Sequence, residues 1–444
     1  MTLARDQSLL DLCRRVRSAG FEAILDLHAN FRSRLVCALS GAGRVVRYRK
    51  AALSRRLFVR WRFGSEALKE HTLDRYLEAV ERLIPNAGIR LAAPPSKILV
   101  IQTAFLGDAV LTTPLLGALH DQFPNSRLAV LCTPETEAVF ARHPAVSEVI
   151  LFDKRGKDHA WISQWSLAKR LRAMNFDLAI IPHRSITSAL LATIARIPRR
   201  VGFSASQGRT FLTDIVSFQW GVHDVERNLA LLKVFGVQNP NRDLWLKAEP
   251  ETLQLVHNRL RQTGVVPFDK VVGINAGSVW ATKRWLPEGF AVVADRLIRE
   301  AGVKVIFVGG PKDADVMRQI LPLMKEKPVN WVGETTLKEL IAVVGRCQAF
   351  LTNDSGPLHI AVAARVPTVA LFGPTTKELG FFPYGPGHLV IEKDLPCRPC
   401  SLHGGKVCPL GHFQCMKNIT PEEVFEAVQL QLSRGKTTQE ALPL

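Results

Sequence analysis

The stretch Asn353-Asp354-Ser355-Gly356-Pro357-Leu358-His359 gathers a carboxylate, a hydroxyl, a glycine and an imidazole between a strand-like run, Ala349 to Thr352, and a small-residue helix, Ile360 to Ala364. At a strand-to-helix junction such residues offer backbone N–H groups and the positive end of a helix to an anion, with His359 on the first helical turn. The same residues also suit an ordinary N-cap, in which Asp354 or Ser355 satisfies the first free N–H groups and nothing is bound. A second candidate is Asp108, which Gly107 lifts to the start of a helix after the run Lys97 to Gln102. A carboxylate there can take a proton from a sugar hydroxyl, or it can cap the first turn. The third is Lys283, flanked by Thr282 and Arg284 and preceded by the small-residue turn Asn275-Ala276-Gly277-Ser278. A cation in such a turn suits a diphosphate leaving group, the alternative being a solvated basic turn.

These residues need a scaffold that brings loop ends together. Lys97–Gln102, Arg127–Leu131, Val149–Phe152 and Asp177–Ile181 read as strands separated by helical segments, one of them Ala109 to Phe123 with Pro114 inside it. The alternation restarts with Lys270–Asn275, Val303–Gly309, Asn330–Val332, Ala349–Thr352 and Thr368–Phe372. Such alternation predicts doubly wound parallel sheets with ligands at the carboxyl ends of the strands. The fold class is therefore α/β, with two Rossmann-like domains facing a cleft. The predicted limits are 96–250 for the first domain and 251–444 for the second, with residues 1–95 as an additional segment. The loop after the first strand lacks G-x-G-x-x-G, so a dinucleotide site is not supported.

The additional segment is internally repetitive with the first domain. Leu12 to Val46 lies over Leu167 to Val201 at a constant offset of 155, with Arg15/Arg170, Arg17/Arg172, Phe21/Phe176, His28/His183, Ser33/Ser188, Leu35/Leu190 and Arg44/Arg199 identical. After a slip of three residues, His71-x-x-x-Arg75 lies over His223-x-x-x-Arg227. Residues 1–95 thus read as a partial duplicate of the latter half of the first domain, joined through a Pro-, Ala- and Gly-rich linker at 85–95.

The chain of 444 residues carries 58 Lys and Arg against 40 Asp and Glu, a formal charge of +18. Residues 1–95 hold 18 of these cations and 9 of the anions, half of the excess. The balance favours an anionic partner. No helix-turn-helix, zinc finger or aromatic-bearing RNA module accompanies it, which excludes the common nucleic-acid readers. No apolar run reaches 18 residues and the N-terminus lacks a signal-peptide core, so a cytoplasmic setting with mostly reduced cysteines is expected.

Taken together, Leu106-Gly107-Asp108, Lys283-Arg284-Trp285 before a proline, Gly309-Gly310-Pro311, the Asn353–His359 stretch and Phe372-Gly373-Pro374-Thr375 resemble the lipopolysaccharide heptosyltransferases of glycosyltransferase family 9. The segment from Cys397 through Cys400, Cys408 and Cys415 to Thr420-Pro421 resembles the second inner-core enzyme of that family. The resemblance covers Lys97 to about Leu432 and implies a GT-B fold. It also implies inverting transfer of heptose from ADP-heptose to the phosphorylated inner core on lipid A, at the cytoplasmic face of the inner membrane and with no required cofactor or metal. Asp108 would be the catalytic base. Thr282 and Lys283 would hold the diphosphate, and Asp354, Ser355, Gly356 and His359 would line the ADP site. Arg184, Arg199, Arg200 and Arg209 are candidate contacts to acceptor phosphates. Another nucleotide-sugar donor, or a non-catalytic nucleotide-sugar-binding relative, is the alternative. The four cysteines could hold zinc, but their spacing matches no common zinc module, and free thiols are the favoured reading.

Overall fold

Uninterrupted apolar runs bounded by turn residues become the buried strands. In the computed structural model, which describes residues 13, 16–21, 23–26, 31–47, 94–154, 156, 158 and 161–434, contacts separate two units, Met1–Ala93 and Pro94–Leu444. The first unit contains β1 (Ala23–Asp26), α1 (Phe31–Leu39) and β2 (Arg44–Arg47). The second contains two six-stranded parallel sheets.

The first of these sheets comprises β3 (Lys97–Gln102), β4 (Arg127–Cys132), β5 (Glu148–Leu151), β6 (Leu178–Ile181), β7 (Arg199–Phe203) and β8 (Asp214–Val216), in the spatial order β5-β4-β3-β6-β7-β8. The other comprises β9 (Val271–Asn275), β10 (Lys304–Phe307), β11 (Val329–Asn330), β12 (Ala349–Asn353), β13 (Thr368–Phe372) and β14 (Leu389–Glu392), in the order β11-β10-β9-β12-β13-β14. Strand order reverses between β3 and β6 in one sheet and between β9 and β12 in the other. Crevices open at the carboxyl ends of the strands at such reversals. Leu99, Val100, Ile101, Phe307 and Phe350 are fully enclosed, and each such side chain contributes roughly 1.5–3 kcal/mol on leaving water.

Prolines and left-handed residues punctuate the helices. The sequence predicts one helix over Ala109–Phe123, but the chain instead forms α2 (Leu106–Leu111) and α3 (Thr113–Gln122), with Pro114 in the first turn of α3. A proline offers no N–H and its ring would crowd the carbonyl of Val110 in a continuous helix, so the helix stops and restarts. The later helices that bear on the site are α4 (Ile186–Ile194), α5 (Asp224–Ala230), α6 (Pro287–Arg299) and α7 (Gly356–Ala363).

The 155-residue offset carries over into local geometry. It aligns β1 with β6, α1 with α4 and β2 with β7. The register of β1 on β2, Ala23 opposite Arg44 through Asp26 opposite Arg47, is that of Leu178 opposite Arg199 through Ile181 opposite Gly202. Left-handed residues also coincide, Gly20 with Asn175 and Gly41 with Arg196. Arg15, His28, His71 and Arg75 of the sequence match, and the 85–93 portion of the linker, lie outside the described residues.

Candidate active site

Three strand ends meet at the cleft. Asp108 follows β3 on the first turn of α2, Lys283 follows β9 through the 276–281 turn, and Asp354 follows β12 just before α7. Helix α2 packs on α7, and the contact is made at Gly107. A Cβ on Gly107 would lie 2.7 Å from Cδ2 of His359. Only glycine therefore lets the turn carrying Asp108 close onto the turn that opens α7. His359 is itself buried, with its Nδ1 unpartnered. Burial, with the charges of His223 and Lys283, drives its pKa down to about 4, so it is neutral at physiological pH.

Asp108 lies on the first turn of α2 with a largely desolvated carboxyl. Its Oδ2 accepts from the N–H of Phe105 at 3.2 Å, so the capping interaction is present. Desolvation, reinforced by the charge of Asp224, raises its pKa from 3.8 to about 7. Asp224 opens α5 and pairs with Arg227 at 3.1 Å, while Asn228 Nδ2 donates to Asp224 Oδ2 at 3.3 Å and to the carbonyl of Leu111 on α2 at 3.2 Å. Burial also raises the pKa of Asp224, against the lowering effect of Arg227.

Sequence reasoning missed Asp224 and Arg227 as site residues. The available signal was His223-Asp224-x-x-Arg227, in which positions i and i+3 face the same side of a helix, but it served only as a repeat marker. The segment also joins the two sheets' loops. Arg227 donates to the carbonyl of Leu379 at 2.9 Å, Asp224 N–H to that of Gly380 at 2.9 Å, and His223 Nε2 lies 2.9 Å from the carbonyl of Phe382.

On the other wall Lys283 Nζ lies 2.6 Å from Asp354 Oδ2, which also accepts from Thr375 Oγ1 at 2.6 Å. Asp354 thus orients the ammonium. Thr282 is buried, and its hydroxyl is occupied by Gly405, accepting from its N–H at 2.7 Å and donating to its carbonyl at 3.1 Å. Ser355 Oγ donates to Asn275 Oδ1 at 3.0 Å. Asn353 bridges the two turns, accepting from Trp285 N–H at 3.1 Å and donating to the carbonyl of Ala276 at 2.9 Å.

The four arginines separate. Arg184 packs 5.0 Å from the Phe218 ring and 5.3 Å from that of Trp220, and its charge reaches Asp224, which places it at the cleft. Arg209 is exposed on the β7–β8 connection. Arg199 and Arg200 stand at the first residues of β7, at the end of the parallel sheet opposite the cleft. Arg199 is buried and pairs with Asp214 at 2.9 Å, and Arg200 donates to the carbonyls of Phe211 and Ile197 at 2.6 Å. Their expected role as acceptor contacts is corrected accordingly: both guanidinium groups brace the sheet edge.

Cys397, Cys400, Cys408 and Cys415 form no disulfide, and among the described residues no three His, Cys, Asp or Glu side chains converge as metal ligands. Backbone N–H groups from Phe413, Leu410, Gly411 and His412 hold the Cys408 thiol below its usual range, and burial pushes that of Cys415 up.

A family model, glycosyltransferase family 9 (heptosyltransferase), matches residues 164–410. The chain belongs to this family. It is a glycosyltransferase, 28% identical over 340 residues to lipooligosaccharide heptosyltransferase 2 of Campylobacter jejuni, covering 75% of this chain and 98% of that protein. It is 27% identical over 348 residues to lipopolysaccharide heptosyltransferase 2 of Escherichia coli, covering 76% and 98%. The fold is similar to that of a family 9 glycosyl transferase from Veillonella parvula, with a TM-score of 0.70 at 26% identity over 78% of this chain and 99% of that one. The corresponding values for the ADP-heptose heptosyltransferase II of Escherichia coli are 0.64, 25%, 76% and 99%. These relatives are matched nearly end to end while about a quarter of this glycosyltransferase is not.

Proposed function

We propose that the chain transfers heptose from ADP-heptose, with inversion, to the phosphorylated inner core of lipopolysaccharide. The observation that carries this reading is a carboxylate with its pKa raised to about 7, standing across the cleft from an ammonium held by a buried acid. In a single displacement Asp108 takes the proton of the acceptor hydroxyl as its oxygen bonds to the anomeric carbon. The bond to ADP breaks, and Lys283 with the amino end of α7 stabilises the charge gathering on the diphosphate. Thr282 acts through the loop it fastens, and Asp354 acts through Lys283. Ser355, Gly356 and His359 support the ADP side of the cleft. Arg184 and Arg209 are the proposed contacts to acceptor phosphates. The two sheets correspond to domains 96–250 and 251–444. The acceptor would bring the protein to the inner-membrane surface from the cytoplasmic side, and no helix among the described residues is long and apolar enough to cross a membrane. Residues 1–95 would be a partial copy of the latter half of the first domain, a reading supported among the described residues by the shared register of β1–β2 with β6–β7 and by the shared left-handed positions.

The test is mass-spectrometric detection of transfer from ADP-heptose to a heptose-bearing lipid A core, with intact chain and with Asp108→Ala. A heptose-sized gain that disappears in the variant is expected. Nucleotide binding without transfer would redirect the search to another sugar donor or to a non-catalytic role.

A further inference from the structure

The cysteine-bearing segment is fastened at two points to the donor wall of the cleft. At the first, Arg398 donates to the carbonyl of Thr375 at 2.7 Å and pairs with Glu392 at 2.8 Å, and Cys400 N–H donates to the carbonyl of Pro374 at 3.0 Å. Thr375 is the residue whose hydroxyl holds Asp354. At the second, Gly405 exchanges hydrogen bonds with Thr282, the neighbour of Lys283. The span between these anchors is short and tightly folded, with Gly404 N–H donating to Ser401 Oγ at 2.7 Å.

Gly404 has φ +92°, and a Cβ there would lie 2.9 Å from Trp280 Cβ and 3.2 Å from Lys283 Cγ. Glycine is therefore what allows the loop to lie against the Lys283 side chain. His403 precedes it in the span. It is exposed, and its imidazole lies within the fields of Lys283, Arg184 and Asp354, desolvation and the two cations lowering its pKa.

We propose that His403 is a donor-binding residue whose imidazole contacts the diphosphate beside Lys283, and that the Cys397–Cys415 segment is the scaffold that presents it. The inference rests on the nucleotide-sugar reading of the cleft. A diphosphate held at Lys283 would accept a hydrogen bond from the neighbouring imidazole, and one hydrogen bond to a charged group accounts for about a tenfold change in affinity.

Calorimetric titration of the full-length chain with ADP, AMP and adenosine tests this, using wild type, His403→Ala and His403→Gln. In His403→Ala, ADP is expected to bind about tenfold more weakly while AMP and adenosine stay within about twofold. His403→Gln, which keeps a donor, recovers part of the loss. Unchanged ADP affinity in His403→Ala would overturn the inference. So would an equal loss for all three ligands together with a lowered melting temperature, which would make His403 a structural residue of the loop. Wild type that binds none of the three would overturn the donor reading itself, and the inference with it.

Discussion

Replacing Asp224 with asparagine removes a negative charge beside the proposed base, Asp108, while keeping the side chain's size and its hydrogen bond to Asn228. In the native site Asp108 titrates at about 7, so at pH 6 only about one-tenth of it is ionised and able to accept a proton. Loss of a partly buried neighbouring charge is worth about 1–2 kcal/mol, or about one pH unit. Arg227, relieved of its partner, acts in the same direction. The midpoint would fall to about 6, and the ionised fraction at pH 6 would rise to about one-half. The acid limb of kcat/KM therefore moves down by about one unit, and activity at pH 6 rises about fivefold relative to the pH 8 plateau. Initial rates of ADP release across pH 5–9, with Asp108→Asn as the inactive control, measure this. An acid limb that stays in place while only the plateau drops would refute the coupling and leave Asp224 as a packing residue.

The same contacts make further outcomes testable. Asp108 binds its proton more tightly folded than unfolded, so between about pH 4 and 7 the folded state holds more protons and stability falls as pH rises. Asp108→Asn removes that loss, and its melting temperature at pH 8 should exceed that of wild type even though transfer is abolished. Lys283→Met should weaken ADP binding and also lower stability by about 3–5 kcal/mol in urea titrations, because it leaves the buried Asp354 unpaired; full stability in the variant would contradict the ion pair. Arg199→Met should cost a similar amount, since Asp214 loses its partner, with no change in acceptor KM at permissive temperature.

Much of the fold is legible in apolar runs. Lys97–Gln102 and Thr368–Phe372 coincide with β3 and β13 residue for residue, because a strand covered on both faces leaves no room for polar interruption. The edge strands β8 and β14 go unread, since every residue in them is only half-buried and their apolar signal is correspondingly diluted. Site legibility divides in the same way. Asp108, Lys283 and Asp354 stand at strand ends, where the chain's alternation already points. Asp224 and the proposed His403 come from a helix start and a loop; the packing of α5 against α2 sets the one beside Asp108, and the Gly405–Thr282 clamp sets the loop of the other beside Lys283. Arg199 and Arg200 mislead because charge type carries no information about which end of a parallel strand a residue occupies.

The contact between Gly107 and His359 acts as a mechanical stop. A hydrogen atom at position 107 sets how near the turn bearing the proposed base can approach the turn proposed to lie beneath the leaving group, so on that reading the gap across which the new glycosidic bond forms is gauged by a missing methyl. Alanine there would hold the jaws apart by a fraction of a bond length or more. Since positioning of reacting groups carries several kcal/mol of a barrier, Gly107→Ala should slow transfer far more than it weakens ADP binding.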